Sequence, residues 1–161
     1  MQIRADGSER NRMVALRTRA TASETGESLF AVQIEMGAHS IVGDEPISAG
    51  GEGLGPNPFE LMTAALAECS AITVRWFARQ QNWPLEHVEV VVDHAKKLSA
   101  GSSTPADVFE KTVFIRGVEL DGAQRKRLLD VAAKCPIQRI LEGAPVINTK
   151  LGRSLDESLG K

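Results

Sequence analysis

From Pro58 to about Gln81 the chain runs through two dozen residues with almost no charge, and this stretch restricts the possible folds more than any other. Asn57 offers an N-cap side chain, Pro58 suits the first helical position, and Glu60 sits in the first turn, where the helix dipole favours an acid. Between Phe59 and Ala78 the only charged residues are Glu60, Glu68 and Arg75. A helix that is apolar on most of its circumference is a buried one, so other elements of the chain must cover it. The stripe Leu61, Ala65, Cys69, Ile72, Trp76 advances at helical spacing and is expected to be the packed face, carrying Cys69 with it. Asn82-Trp83-Pro84 ends the helix.

The flanking segments read mostly as strands. Residues 11–19 and 27–36 are expected to be two strands around a turn at Ser23–Gly26; in the second, Phe30, Val32, Ile34 and Met36 alternate with Ala31, Gln33 and Glu35. The Gly- and Pro-rich segment Gly43–Pro58 predicts an irregular loop. Its Gly51, Gly53 and Gly55 fit neither the dinucleotide fingerprint nor a P-loop, and no Lys-Ser/Thr follows. Residues 87–95 (Val88, Val90, Val92 on one face) and 108–118 (Phe109, Lys111, Val113, Ile115) predict an antiparallel pair, joined by a mobile loop at Leu98–Asp107. A second helix starts at Asp121, with Gln124 completing a capping box, and runs through Leu128, Leu129 and Ala132 towards Cys135. Pro136 breaks it, and a restarted turn ends near Gly143. Val146–Leu151 is expected to be a last strand, followed by a frayed tail from Gly152. The order β-β-α-β-β-α-β over residues 1–161 predicts one α+β domain with antiparallel sheet.

Nineteen Lys and Arg against twenty-one Asp and Glu leave a net charge of −2, which favours neither nucleic acid nor an anionic membrane. The basic start (Arg4, Arg10, Arg12, Arg17, Arg19) is expected to decorate a solvated strand. No stretch approaches the roughly 18 charge-free apolar residues of a membrane span. The polar residues Met1–Arg12 predict no secretory leader, and therefore a cytoplasmic, reducing location.

Chemistry then rests on two cysteines, Cys69 and Cys135, too few for a disulfide scaffold. Cys135 precedes the proline that opens a helical turn, where free N–H groups favour a thiolate, and Lys134 adjoins it. Cys69 lies mid-helix and would need a nearby cation to react. Arg75 lies six residues along and off that face, which leaves an arginine of the N-terminal strand. The residues alone leave two readings open, with inert buried thiols ahead of a redox pair. His39, His87 and His94 show no ligand spacing, so neither a metal nor another cofactor is expected. Phe59, Trp76 and Phe77 read as core, or as the lining of a small-molecule cleft.

Longer motifs carry a family resemblance. The run Asp44-Glu45-Pro46 with its following glycines, then Gly55-Pro56-Asn57-Pro58-Phe59-Glu60-Leu61-Met62-Thr63-Ala64-Ala65-Leu66-Ala67-Glu68-Cys69-Ser70, resembles the first cysteine helix of the OsmC/Ohr family. Lys134-Cys135-Pro136-Ile137 followed by Arg139 resembles its second cysteine motif, and Trp83-Pro84-Leu85 sits where members often carry it. The similarity spans about residues 37–151. It implies an OsmC-like fold, with antiparallel sheets wrapped around two central helices in an intertwined homodimer and active sites at the subunit interface.

The resemblance also implies a thiol-dependent peroxidase for organic hydroperoxides, with hydrogen peroxide a weaker substrate, acting in oxidative stress defence. Cys69 takes the peroxidatic role, Cys135 the resolving role, and a thiol reductant restores the pair. Glu60 stands for the family's acid, and Arg17 and Arg19 are candidates for its arginine. Two positions depart from the pattern. Phe59 follows the proline where better-characterised members have glutamate, so Glu60 is displaced by about 100° of helix rotation. Gln138 stands where a histidine is frequent. The alternative is a non-catalytic, small-molecule-binding OsmC-like dimer with structural thiols, or a dimer that is structural only.

Overall fold

Alternating side chains build the first of two compact units, which meet in sequence at Pro58 and Phe59. The computed structural model describes residues 17–98, 101 and 103–152. In the first unit β1 (Ala20–Glu24), β2 (Val32–Met36) and β3 (His39–Gly43) form an antiparallel sheet in the order β1-β2-β3. Ala22, Ile34 and Ile41 stand opposite one another across it. Gly37 and Ala38 alone join β2 to β3. Gly37 has φ 64°, which suits a two-residue hairpin turn with glycine first.

The N-terminal strands therefore differ from expectation. Residues 11–16, with Arg4, Arg10 and Arg12, lie outside the described residues, and Arg17–Arg19 precede β1. Ser23, expected in a turn, pairs with Gln33. The turn comes later because Ser28 organises it: its Oγ accepts the Phe30 and Ala31 N–H groups at 3.1 and 2.9 Å. The third strand escaped the sequence reading because His39 and Ser40 blur the alternation on its exposed half.

After β3 comes the Gly-rich loop, including a single 3₁₀ turn at Ile47–Ala49. It is tied to buried Asp44, whose carboxylate accepts from the Ser28 hydroxyl at 2.8 Å and from the N–H groups of Glu45, Glu52 and Leu54. Burial pushes this carboxyl up, but the hydrogen bonds together hold it below its ordinary value. A Cβ at Gly55 would overlap the Val42 carbonyl, so this glycine serves close backbone approach.

The second unit starts from α1 (Pro58–Gln80). Its C-terminus is closed by Asn82 at φ 52°, with Trp83 N–H donating to the Ala78 carbonyl (2.9 Å) and Asn82 N–H to Arg79 (3.2 Å). β4 (His87–Lys97) and β5 (Ala106–Arg116) pair along their whole length, with His87 opposite Arg116 and Lys97 opposite Ala106. β4 runs two residues longer than expected and β5 lies two residues earlier, so the connection between them starts at Leu98 and ends at Pro105; residues 99, 100 and 102 lie outside the described residues. α2 (Gly122–Ala132) carries the capping box, with Gln124 N–H to Asp121 at 2.7 Å and Asp121 N–H to Gln124 at 3.0 Å. α3 (Pro136–Glu142) follows a three-residue break.

The core of this unit joins Val74 and Ala78 of α1 to Leu85, Leu120, and Leu128 and Ala132 of α2, with Val88, Val113 and Ile115 against them. Arg125 clamps α2 to the end of β5 through the Ile115 and Gly117 carbonyls. Two expectations are corrected here. The buried stripe of α1 is Leu66, Ser70, Val74, Ala78, not the one through Cys69; Ile72 and Trp76 stay 60% and 59% exposed. On a helix apolar all round, periodicity cannot choose the face. Val146–Leu151 forms no strand among the described residues, and Val146 and Ile147 are 86% and 83% exposed. The segment has strand composition but no neighbouring strand to pair with. The tail from residue 153 lies outside the described residues.

Candidate thiol site

Three elements of the second unit deliver the site. Helical geometry places Cys69 next to the buried Leu66–Ser70–Val74 stripe, so its side chain is only partly covered. Cys135 enters from the α2–α3 junction and is 0% exposed. Cys69 is among the groups that hold the Cys135 thiol below its ordinary value, which puts the two side chains in one neighbourhood. Both are free in this structure.

Pro136 shapes the junction. As the first residue of α3 it leaves Cys135 as the N-cap, and the sulfur accepts the Gln138 N–H at 3.4 Å. From α1 the Ser70 hydroxyl approaches the same sulfur at 3.3 Å. Ser70 Oγ also lies 2.8 Å from the Leu66 carbonyl, the usual resting partner of a helical serine.

The cation of the site is Lys111, from the middle of β5. Its Nζ donates to Ser70 Oγ (3.0 Å), the Ala132 carbonyl (2.7 Å) and Gln138 Oε1 (2.5 Å), so all three ammonium protons are placed. Gln138 in turn donates through Nε2 to Glu142 at 2.6 Å. Lys111 and Gln138 also border a cavity of about 520 Å³ whose apolar wall includes Leu66, Phe109, Leu129 and Leu141. Burial pushes the Lys111 ammonium below its ordinary value, against the opposing pull of Cys135, Glu142 and Cys69. Burial also pushes the Cys135 thiol up, but Ser70, the Gln138 N–H, Lys111 and Cys69 outweigh it and hold the thiol below its ordinary value.

Chemically, this arrangement can keep one sulfur as a thiolate, with a second, more accessible sulfur in its neighbourhood.

The other expected residues lie elsewhere. Glu60 is exposed in the first turn of α1, nine residues before Cys69 and so about 180° around the helix from it. Arg17 and Arg19 belong to the first unit, where they border a surface hollow with Thr21 and Glu35. Arg75 donates to the Leu85 and Glu86 carbonyls, bracing the approach to β4. The three aromatics share no single cleft. Phe59 stacks on His94 (4.9 Å), and Phe77 meets Trp83 edge-on (5.5 Å) about five helical turns away. Sequence reading missed Lys111, although it had placed this lysine on one strand face with Phe109, Val113 and Ile115. A lysine in the middle of an apolar strand face was the available signal.

Among the described residues no helix is long and apolar enough to cross a membrane. No curated protein is similar enough to match the chain. Its fold is shared with an organic hydroperoxide resistance protein of Legionella pneumophila (TM-score 0.61, 23% identity, 80% of this chain and 91% of that one). The hydroperoxide resistance protein OhrB of Bacillus subtilis aligns at TM-score 0.53 and 23% identity over 79% and 91% of the two chains. An OsmC-like protein of unknown function from Vibrio cholerae aligns at TM-score 0.60 and 16% identity, over 78% and 94%. The family model described as OsmC-like protein matches residues 50–150, which include α1, β4, β5, α2, α3 and both cysteines. With its α+β, antiparallel-sheet architecture and this match, the chain belongs to the OsmC-like protein family.

Proposed function

We propose that the protein is a thiol-dependent peroxidase that reduces organic hydroperoxides. One observation carries this reading: a buried thiol at the start of α3, neighboured by Cys69 of α1, sits in a hydrogen-bonded network with the Lys111 ammonium. The partly covered Cys69 is the sulfur a hydroperoxide can reach. Its thiolate attacks the outer peroxide oxygen, the O–O bond breaks, an alcohol leaves after taking a proton, and Cys69 becomes a sulfenic acid. Cys135 then displaces hydroxide from Cys69 to form the disulfide, and two electrons from a small thiol or dithiol reopen it. Hydroperoxide resistance in the names of the Legionella and Bacillus neighbours supports the same chemistry.

The active form in this proposal is a homodimer. α1 is apolar all round, yet Ile72 and Trp76 remain exposed on the side away from its buried stripe. A second copy covers the exposed side that carries Ile72 and Trp76. Cys69 is the peroxidatic residue and Cys135 the resolving one. Glu60, Arg17 and Arg19 are retained as proposed contributors that would act in the assembled dimer.

The test is consumption of cumene hydroperoxide in the presence of a dithiol. Wild type is expected to turn over repeatedly and Cys69→Ser not at all, while Cys135→Ser, oxidised without the dithiol, is expected to stop after one equivalent with a sulfenic acid on Cys69. Equal consumption by wild type and Cys69→Ser would overturn the proposal.

A further inference from the structure

We infer that Lys111, acting through Ser70, is the positioning residue of the resolving half-reaction: it prepares Cys135 as the thiolate that attacks oxidised Cys69. This rests on the peroxidase reading above and gives the lysine of that site a specific role in it.

The geometry points one way. The three acceptors of Lys111 come from three elements, Ser70 on α1, Ala132 at the end of α2 and Gln138 on α3, so the ammonium is held in one place. Because Lys111 donates to Ser70 Oγ, the single hydroxyl proton of Ser70 is left to choose between the Leu66 carbonyl at 2.8 Å and the Cys135 sulfur at 3.3 Å. A negative sulfur draws that proton, because a charge-assisted hydrogen bond is roughly twice as strong as a neutral one. Glu142 fixes the outer end of the chain. It accepts from Gln138 Nε2, which leaves Gln138 Oε1 facing Lys111.

The groups facing Cys135 are thus Cys69 and Ser70 from α1, Lys111 from β5, and the Gln138 N–H from α3, with Glu142 one step removed. The direction of the Cys135 shift agrees with that inventory. Complete burial keeps Cys135 from a peroxide, so its charge is available for resolution and not for the first step. In that step the Cys135 thiolate pair forms the S–S bond, the Cys69 S–O bond breaks, and the departing hydroxide takes a proton from solvent.

The experiment has two readouts. In a Cys69→Ser background, the Cys135 thiolate is titrated by its ultraviolet absorbance with Lys111 intact, as Lys111→Met, as Lys111→Arg and as Ser70→Ala. The midpoint is expected to rise by about one pH unit or more in Lys111→Met, by a smaller amount in Ser70→Ala, and to stay near the parent in Lys111→Arg. With both cysteines present, one equivalent of cumene hydroperoxide followed by dimedone trapping measures how long the Cys69 sulfenic acid survives. Lys111→Met is expected to lengthen that lifetime about tenfold. Unmoved titrations in both Lys111→Met and Ser70→Ala would overturn the assignment, and Ser70→Ala alone decides it if the methionine variant does not fold. Shifted titrations with unchanged sulfenic acid lifetime would overturn the resolving role. Shifted titrations with no sulfenic acid in any protein would overturn the peroxidase reading and leave Lys111 as the group that sets the Cys135 charge.

Discussion

Lys111 supplies the hydrogen bond that Pro136 cannot. In an unbroken helix the Ala132 carbonyl would accept from the N–H four residues on, but that residue is proline; Lys111 Nζ fills the place at 2.7 Å. The same proline that halts α2 thus draws a cation to its C-terminal end, where the helix dipole favours one, and leaves Cys135 capping α3. A positive group and a nascent negative one are brought together by a single backbone interruption.

The first prediction concerns pH. The folded chain holds the Cys135 thiol below its ordinary 9.0 and the Lys111 ammonium below its ordinary 10.5. In both windows the unfolded chain binds more protons, so stability rises with pH. The Cys135 contribution is complete above 9.0 and is lost as pH falls through its folded value. For Lys111 the burial penalty on the ammonium applies below its folded value and vanishes above 10.5. Urea unfolding of the reduced protein is expected to show stability increasing from neutral pH to about 9. Cys135→Ala is expected to flatten that slope; an unchanged slope would contradict the assignment.

The second concerns packing. Leu128 is fully buried among Val74, Ala78 and Ala132 and holds the end of α2 against α1. Leu128→Ala is expected to cost about 2–5 kcal/mol in chemical denaturation. A cost below about 1 kcal/mol would mean that this contact does not anchor the α2–α3 junction.

The third concerns assembly. Ile72→Glu places a charge in the exposed apolar stripe of α1. Light scattering is expected to give a dimer for the wild type and a monomer for the variant, with cysteine geometry within the chain otherwise intact. A monomeric wild type would remove the proposed homodimer.

Much of this architecture was legible in the sequence because local chemistry dictates it. Pro58 and Glu60 mark the start of α1, Asp121 and Gln124 form the capping box of α2, and alternation in 88–92 and 109–115 reports β4 and β5. What was hidden depends on partners distant in sequence. The buried face of α1 is chosen by the elements that pack on it, since Cys69 and Ser70 are neighbours on an apolar surface with no periodic preference. Val146–Leu151 reads as a strand by composition, but a strand exists only beside another. The site's cation was sought among arginines, while Lys111 sat within an apolar strand pattern; only the fold reveals that Ala132, Ser70 and Gln138 await it.

The most direct test oxidises the reduced protein with one equivalent of cumene hydroperoxide and maps its peptides by mass spectrometry. The expected result is a single Cys69–Cys135 disulfide, seen as the loss of two hydrogen atoms in wild type and absent from Cys69→Ser and Cys135→Ser. Two cysteines that both remain free thiols, or that become sulfinic acids without ever pairing, would contradict the account.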